Sequence, residues 1–111
     1  GLTDYVKADG GNGNVLLYYY GSEKLKTIST GLEITGHVLP DANDTYDLGS
    51  TSKVWRNIYT GDLHLSNEAK SEGNAIDGTK GNWTIQEGAE DLYILNNKTG
   101  KKFKFKLEEI N

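Results

Sequence analysis

Apolar residues in this chain come in short alternating runs cut by glycine, and no other feature limits the fold as much. "GLEIT", "DLHLS" and "KFKFKL" alternate apolar and polar side chains, the period of a strand with one buried face. No run holds an apolar stripe at helical spacing for the length of a useful helix. The expected fold is therefore all-β, built from short antiparallel strands and hairpins. From Val15 to Gly36, "VLLYYYGSEKLKTISTGLEITG" reads as strand, turn, strand, turn, strand, punctuated at Gly21-Ser22 and Thr30-Gly31. Leu25 and Ile28 break strict alternation, whereas Leu32 and Ile34 share a face opposite Glu33 and Thr35. Further on, "STSKVW" reads as one short helical turn with Ser50 or Thr51 as N-cap. "NIYTGDLHLS" then reads as two strands around a tight turn, with His64 pointing away from the Leu63 and Leu65 face. Residues 66–81 form a polar, glycine-rich loop or weak hairpin with Ile76 as the only sizeable apolar anchor. "WTIQE" is a strand and "EGAE" a turn, and "DLYILNNKTGKKFKFKL" is the strongest hairpin in the chain, closed through "NNKTG". Its last strand sets Phe103, Phe105 and Leu107 on one face and Lys102, Lys104 and Lys106 on the other. The single proline, Pro40, sits in a loop that divides a β-rich shaft-like segment, 1–40, from a C-terminal β-rich tip or knob, 41–111.

Strands of this kind need something to cover their apolar faces, and the composition supplies little. Leu, Ile, Val and Phe together make 25 of 111 residues, just above the ~20% level below which chains tend to stay disordered. A single core at this size is marginal. With no cysteine, neither a disulfide nor a thiolate-held zinc can add stability. The missing stabilisation is expected from partner chains.

The functional classes that remain are few. A net charge of −4 argues against sequence-independent nucleic-acid binding, which needs a basic face. The lysine face of the last strand is better read as a solvated face that protects a sheet edge. No apolar run is long enough to cross a membrane as a helix. Gly10, Gly11 and Gly13 lead into a strand rather than a helix, so they read as a hairpin turn and not a phosphate loop. Asp41, Asn43, Asp44 and Asp47 raise the question of calcium. Counted from Asp41, the positions that need Gly and Glu in an EF-hand loop hold Tyr46 and Ser52. Asx turns explain these residues without a metal. His37 and His64 stand on separate elements with no nucleophile suggested beside either, so no metal, cofactor or catalytic residue is expected. The Asn-x-Ser/Thr triplets at Asn43, Asn82 and Asn97 read as chance matches.

One stretch is far more specific than its chemistry explains. Gly31 to Pro40 fits "G-x-x-x-T-G-x-x-x-P", and Asp47 to Tyr59 fits "DLGS-x-x-x-x-W-x-x-x-Y". From Tyr20 to about Asn67 the chain resembles the distal parts of bacteriophage tail fibres and tail spikes. The ending "GNWTIQEGAEDLYILNNKTGKKFKFKLEEI" is similar to a C-terminal ending of cyanophage-like virion structural proteins. The resemblance implies a virion-located homotrimer of intertwined or packed β-structure, a fibre shaft and tip that carries host recognition. Its implied partners are two further copies of itself, other virion proteins, and a host-surface glycan or outer-membrane component. Many such fibres continue into a self-cleaving chaperone. No position here carries that chaperone's Ser-Lys dyad, so autoproteolysis is not carried over.

Within that frame Tyr46, Leu48, Trp55, Ile58 and Tyr59 form the expected packing set of a small module that docks onto its neighbours, with Gly49 and Gly61 supplying turns. Each buried aromatic would contribute about 4–6 kcal/mol gross. Adhesion is expected to use exposed aromatics, because sugar faces stack on rings. The candidates are Trp83, Tyr18, Tyr19 and Tyr20, with trimer packing as the competing role for each. In a regular strand Tyr18 and Tyr20 share a face and Tyr19 takes the other. Two other functions fit the same resemblance. One is a glycan-cleaving tailspike, which needs a pair of carboxylates flanking a groove. The other is a virion decoration or fibre-attachment protein.

Overall fold

A computed structural model describes residues 5–111 as eight β-strands, with no helix among the described residues. The chain divides into two units, Gly1–Asp41 and Ala42–Asn111. The first holds β1 (Val6–Asp9), β2 (Asn14–Tyr19), β3 (Ser22–Ile28) and β4 (Gly31–Ile34). The second holds β5 (Leu63–Ser66), β6 (Asn82–Glu87), β7 (Leu92–Asn96) and β8 (Lys102–Lys104). Each unit is one four-stranded antiparallel sheet with its strands in chain order. The all-β class and the short antiparallel hairpins are thus observed.

Register in the first sheet follows the alternation of its sequence. Val6 pairs with Leu17, Leu17 with Leu25, and Leu25 with Ile34, so one face is apolar from edge to edge. Val15, Thr27 and Leu32 continue that face. Lys7, Leu16, Lys26 and Glu33 occupy the other. Leu16 is the one buried apolar side chain among the described residues, at 8% exposure. Its cross-strand neighbours are Lys7 and Lys26.

The turns of this sheet are short. Asp9 closes the first by accepting hydrogen bonds from the Gly11 and Asn12 amides at 3.0 and 3.1 Å. The Asn12 side chain donates to the same carboxylate at 2.8 Å, and this bond is the first cause holding the Asp9 carboxyl below its ordinary range. The second hairpin turns through Tyr20 and Gly21, which both have positive φ, at 44° and 79°. That is the two-residue turn whose twist matches the strands it joins.

The second sheet repeats the pattern. Leu63 pairs with Ile85, Ile85 with Ile94, and Ile94 with Phe103. Leu65 and Trp83 extend this apolar face, and His64, Thr84 and Leu95 lie on the reverse. As expected, His64 sits opposite the leucines. Thr84 is the buried residue here, at 3% exposure. Its hydroxyl lies 2.9 Å from His64 Nδ1 and accepts from Asn97 Nδ2, also at 2.9 Å. In neither sheet is any large side chain fully buried.

Several local expectations are overturned. "STSKVW" forms no helix. Ser50 Oγ does accept the Lys53 amide at 3.1 Å, as a cap would. The main chain instead closes on itself, Ser50 and Lys53 exchanging two backbone bonds, after Gly49 enters at φ 84°. One capping bond does not carry nucleation, which fixes several residues before propagation begins. "NIYTGDLHLS" yields one strand, β5. Asn57 to Tyr59 pair with nothing, and Thr60 bonds locally to the Asp62 carbonyl at 3.1 Å. β8 is also shorter than its alternation suggests. Phe105 still donates to the Leu92 carbonyl at 2.9 Å, but Leu107 lies beyond the pairing and is exposed. Ile76 anchors nothing, being 94% exposed. Amide side chains hold residues 67–81 instead.

Candidate functional site

The expected packing set does not pack within this chain. Tyr46, Leu48, Trp55 and Ile58 are exposed, and Tyr59 is 92% exposed. The backbone that carries them nonetheless has defined turns. Thr45 donates to the Asn43 carbonyl at 2.9 Å, Asp44 has φ 51°, and a Cβ at Gly49 would sit 3.0 Å from the Lys53 carbonyl oxygen. A set conformation with apolar side chains in water is the opposite of what a self-sufficient module shows.

The tyrosine triplet is arranged differently from a regular strand. Register slips by one residue between Leu17 and Tyr18, so Tyr18 pairs with Glu23 and Tyr19 with Ser22. Tyr20 leaves the strand for the turn, so it does not share a face with Tyr18. Tyr18 is half-buried, while Tyr19 and Tyr20 are exposed and meet edge to face at 5.0 Å. Tyr20 also takes a backbone conformation that favours Asn, Asp or Gly, at a cost of order 1–3 kcal/mol for a bulky residue. The two-residue turn demands this conformation of whatever residue stands there, so the tip holds its aromatic at a cost.

Trp83, the remaining candidate, lies on β6 of the second unit. Its indole is half-buried, backed by Phe103 at 6.0 Å and 38°. Gly81 leaves it room, because a Cβ there would stand 3.0 Å from the indole nitrogen. Beside it opens a cleft of about 710 Å³ lined by Leu65, Asn67, Asn74, Thr79, Lys80 and Lys98 among others, with no carboxylate among the described residues.

The walls of the cleft are held by side chains that sequence reasoning passed over. Asn67 Oδ1 accepts the Gly81 amide at 2.7 Å, and Asn67 Nδ2 donates to the Thr79 carbonyl at 3.2 Å. Asn74 Oδ1 accepts the Ile76 and Asp77 amides at 2.8 and 3.0 Å. Asp77 in turn accepts the Thr79 hydroxyl at 2.7 Å, the first cause keeping its carboxyl below the ordinary range, with Asn74 second. The legible signal was Asn or Asp two residues before each turn, the Asx pattern. Asn82 and Asn97, noted only as glycosylation triplets, bond to each other at 2.9 Å and tie the β7–β8 turn to β6.

No group of three His, Asp or Glu side chains converges as a metal cage among the described residues. No helix among them is long and apolar enough to cross a membrane. No family model matches the chain, and no curated protein or solved structure compared with it does either.

Proposed function

We propose that this chain is a structural and adhesive segment of a phage tail fibre, assembled as a homotrimer on the virion and facing a host-surface glycan or outer-membrane component. The stretch that carries this reading is Val38 to Tyr59. It is where the resemblance to tail fibres is most specific, and its large apolar side chains are exposed on a backbone with defined turns. The β1–β4 sheet adds to the deficit, with an apolar face that no layer of its own unit covers. Closed rotational symmetry would bury that surface without runaway edge pairing. The number three comes from the resemblance; the exposed surface itself calls only for more than one copy.

Adhesion is assigned to the Tyr19–Tyr20 hairpin tip, on its exposure and strain. Glycan cleavage, which needs two carboxyl groups about 5–9.5 Å apart, is the competing reading: no carboxylate lines the Trp83 cleft among the described residues, Glu90, Asp91, Glu108 and Glu109 line a second one, and reducing-sugar release from host polysaccharide separates the two readings. Light scattering on the folded protein at low micromolar concentration tests the assembly. A mass of three times 12.2 kDa supports it, and a stable folded species of 12.2 kDa overturns it. Replacing Tyr20 with Asn tests the tip: hairpin stability should rise while attachment to host cells falls. Unchanged attachment would remove the tip from the site.

A further inference from the structure

The cleft beside Trp83 has a charge and a shape that the adhesive reading does not require. Its floor is one row of cross-strand neighbours, Leu65, Trp83 and Asn96, on adjacent strands β5, β6 and β7. One wall is the 67–81 loop, which brings Thr79 and Lys80. The other is the β7–β8 turn, which brings Lys98 and Thr99. The two walls touch where Lys98 Nζ donates to the Lys80 carbonyl at 3.4 Å. The turn is itself braced, Asn96 Oδ1 accepting the Lys98 and Thr99 amides at 3.0 and 3.3 Å. A volume of about 710 Å³ suits a small organic ligand or a few units of an oligomer. Because internal hydrogen bonds already set both walls, little ordering remains for a ligand to impose.

The charge is the informative part. The chain as a whole carries −4, yet two lysines and no carboxylate line this cleft among the described residues, although Glu72 lies near enough to Lys80 for that ammonium to help lower its carboxyl. Glu68 approaches Lys98 to 3.9 Å from outside the lining, in an exposed pair that an incoming carboxylate can replace. The Trp83 indole, braced by Phe103, lines the same cleft. An aromatic surface takes the C–H face of a pyranose ring, and adjacent hydroxyl and ammonium groups take its oxygens.

We infer that this cleft binds an acidic saccharide, with a sugar ring against the Trp83 indole and its carboxylate between Lys80 and Lys98. The inference rests on the adhesive reading of the chain and narrows it to a chemical class. Calorimetric titration of the folded protein with a galacturonate tetrasaccharide and with the neutral galactose tetrasaccharide provides the test. The acidic sugar should bind about tenfold more tightly at low salt, and the advantage should shrink as salt is raised. Lys80→Gln with Lys98→Gln should abolish the advantage and leave the fold intact, since both side chains are at the surface. Trp83→Ala should abolish binding of both sugars. Gly81→Ala, which crowds the indole without removing it, should weaken both even if Trp83→Ala fails to fold. Equal affinity for the two tetrasaccharides, or a preference that survives the double lysine variant, overturns the inference. If host cells are bound but the acidic tetrasaccharide is not, the cleft assignment falls and the adhesive reading stands. If the tetrasaccharide is bound as described and host cells are not, the reverse holds.

Discussion

In the β1–β4 sheet the most buried side chain is a leucine; in the β5–β8 sheet it is a threonine. Both sheets have the same strand order and one apolar face, so topology does not explain the difference. Connections do. The first sheet joins β2 to β3 and β3 to β4 through two-residue turns, which fix register by backbone geometry alone. The second must join β5 to β6 across residues 67–81, and no turn type spans that distance. It closes the connection with side chains. Asn67, Asn74 and Asp77 fold the loop, and Thr84, His64, Asn82 and Asn97 pin strands and turn together on the polar face. A short hairpin can therefore leave its faces to apolar packing. A long connection needs a satisfied polar network, and a half-satisfied one is worse than none.

Variants can separate these two modes. The largest effect is expected from Leu16→Ala, which should destabilise the first sheet by about 2 kcal/mol, the lower end of a leucine truncation because a single sheet layer leaves Leu16 8% exposed. Both tryptophans lie in the second unit, so urea unfolding followed by circular dichroism should shift more than unfolding followed by tryptophan fluorescence. Coincident shifts would mean the two sheets unfold as one body and would break the comparison. Thr84→Val should cost about 1–2 kcal/mol, because it leaves His64 and Asn97 without their shared hydroxyl. Here fluorescence should shift at least as much as dichroism.

Smaller effects sharpen the contrast between turns. Asn74→Ala removes the acceptor for two loop amides and should cost about 1 kcal/mol, seen as faster amide exchange or proteolysis confined to residues 67–81. Unchanged protection would show that the loop is held by other means. The smallest effect is in acid. Asp9 and Asp77 each close a turn with the carboxylate, and hydrogen bonding holds each below its ordinary value of 3.8. What they contribute is therefore fully present above 3.8 and is lost as pH falls through the lowered folded value. Exchange of the Gly11, Asn12 and Thr79 amides should accelerate in that acid range in the wild type. In Asp9→Asn and Asp77→Asn it should not depend on pH beyond the intrinsic exchange rate.

The sequence by itself determined the all-β class, most of the strands and the apolar face of each sheet. These follow from alternation and glycine punctuation, which act over a few neighbouring residues. It also marked His64 as facing away from the leucines, again because a strand's period decides side. Only the tertiary structure decided what depends on distant partners. A one-residue slip after Leu17 sent Tyr20 into the turn and away from Tyr18, and no local propensity encodes that slip. Asn57 to Tyr59 have strand-forming side chains but no strand beside them, so their alternation produced nothing. Trp55 and Tyr59 were legible as special and illegible as exposed, since burial depends on what surrounds a residue and not on the residue. The cleft at Trp83 was equally hidden. Its lysines come from two connections separated in sequence, and only closure of the 67–81 loop against the β7–β8 turn brings them to one indole.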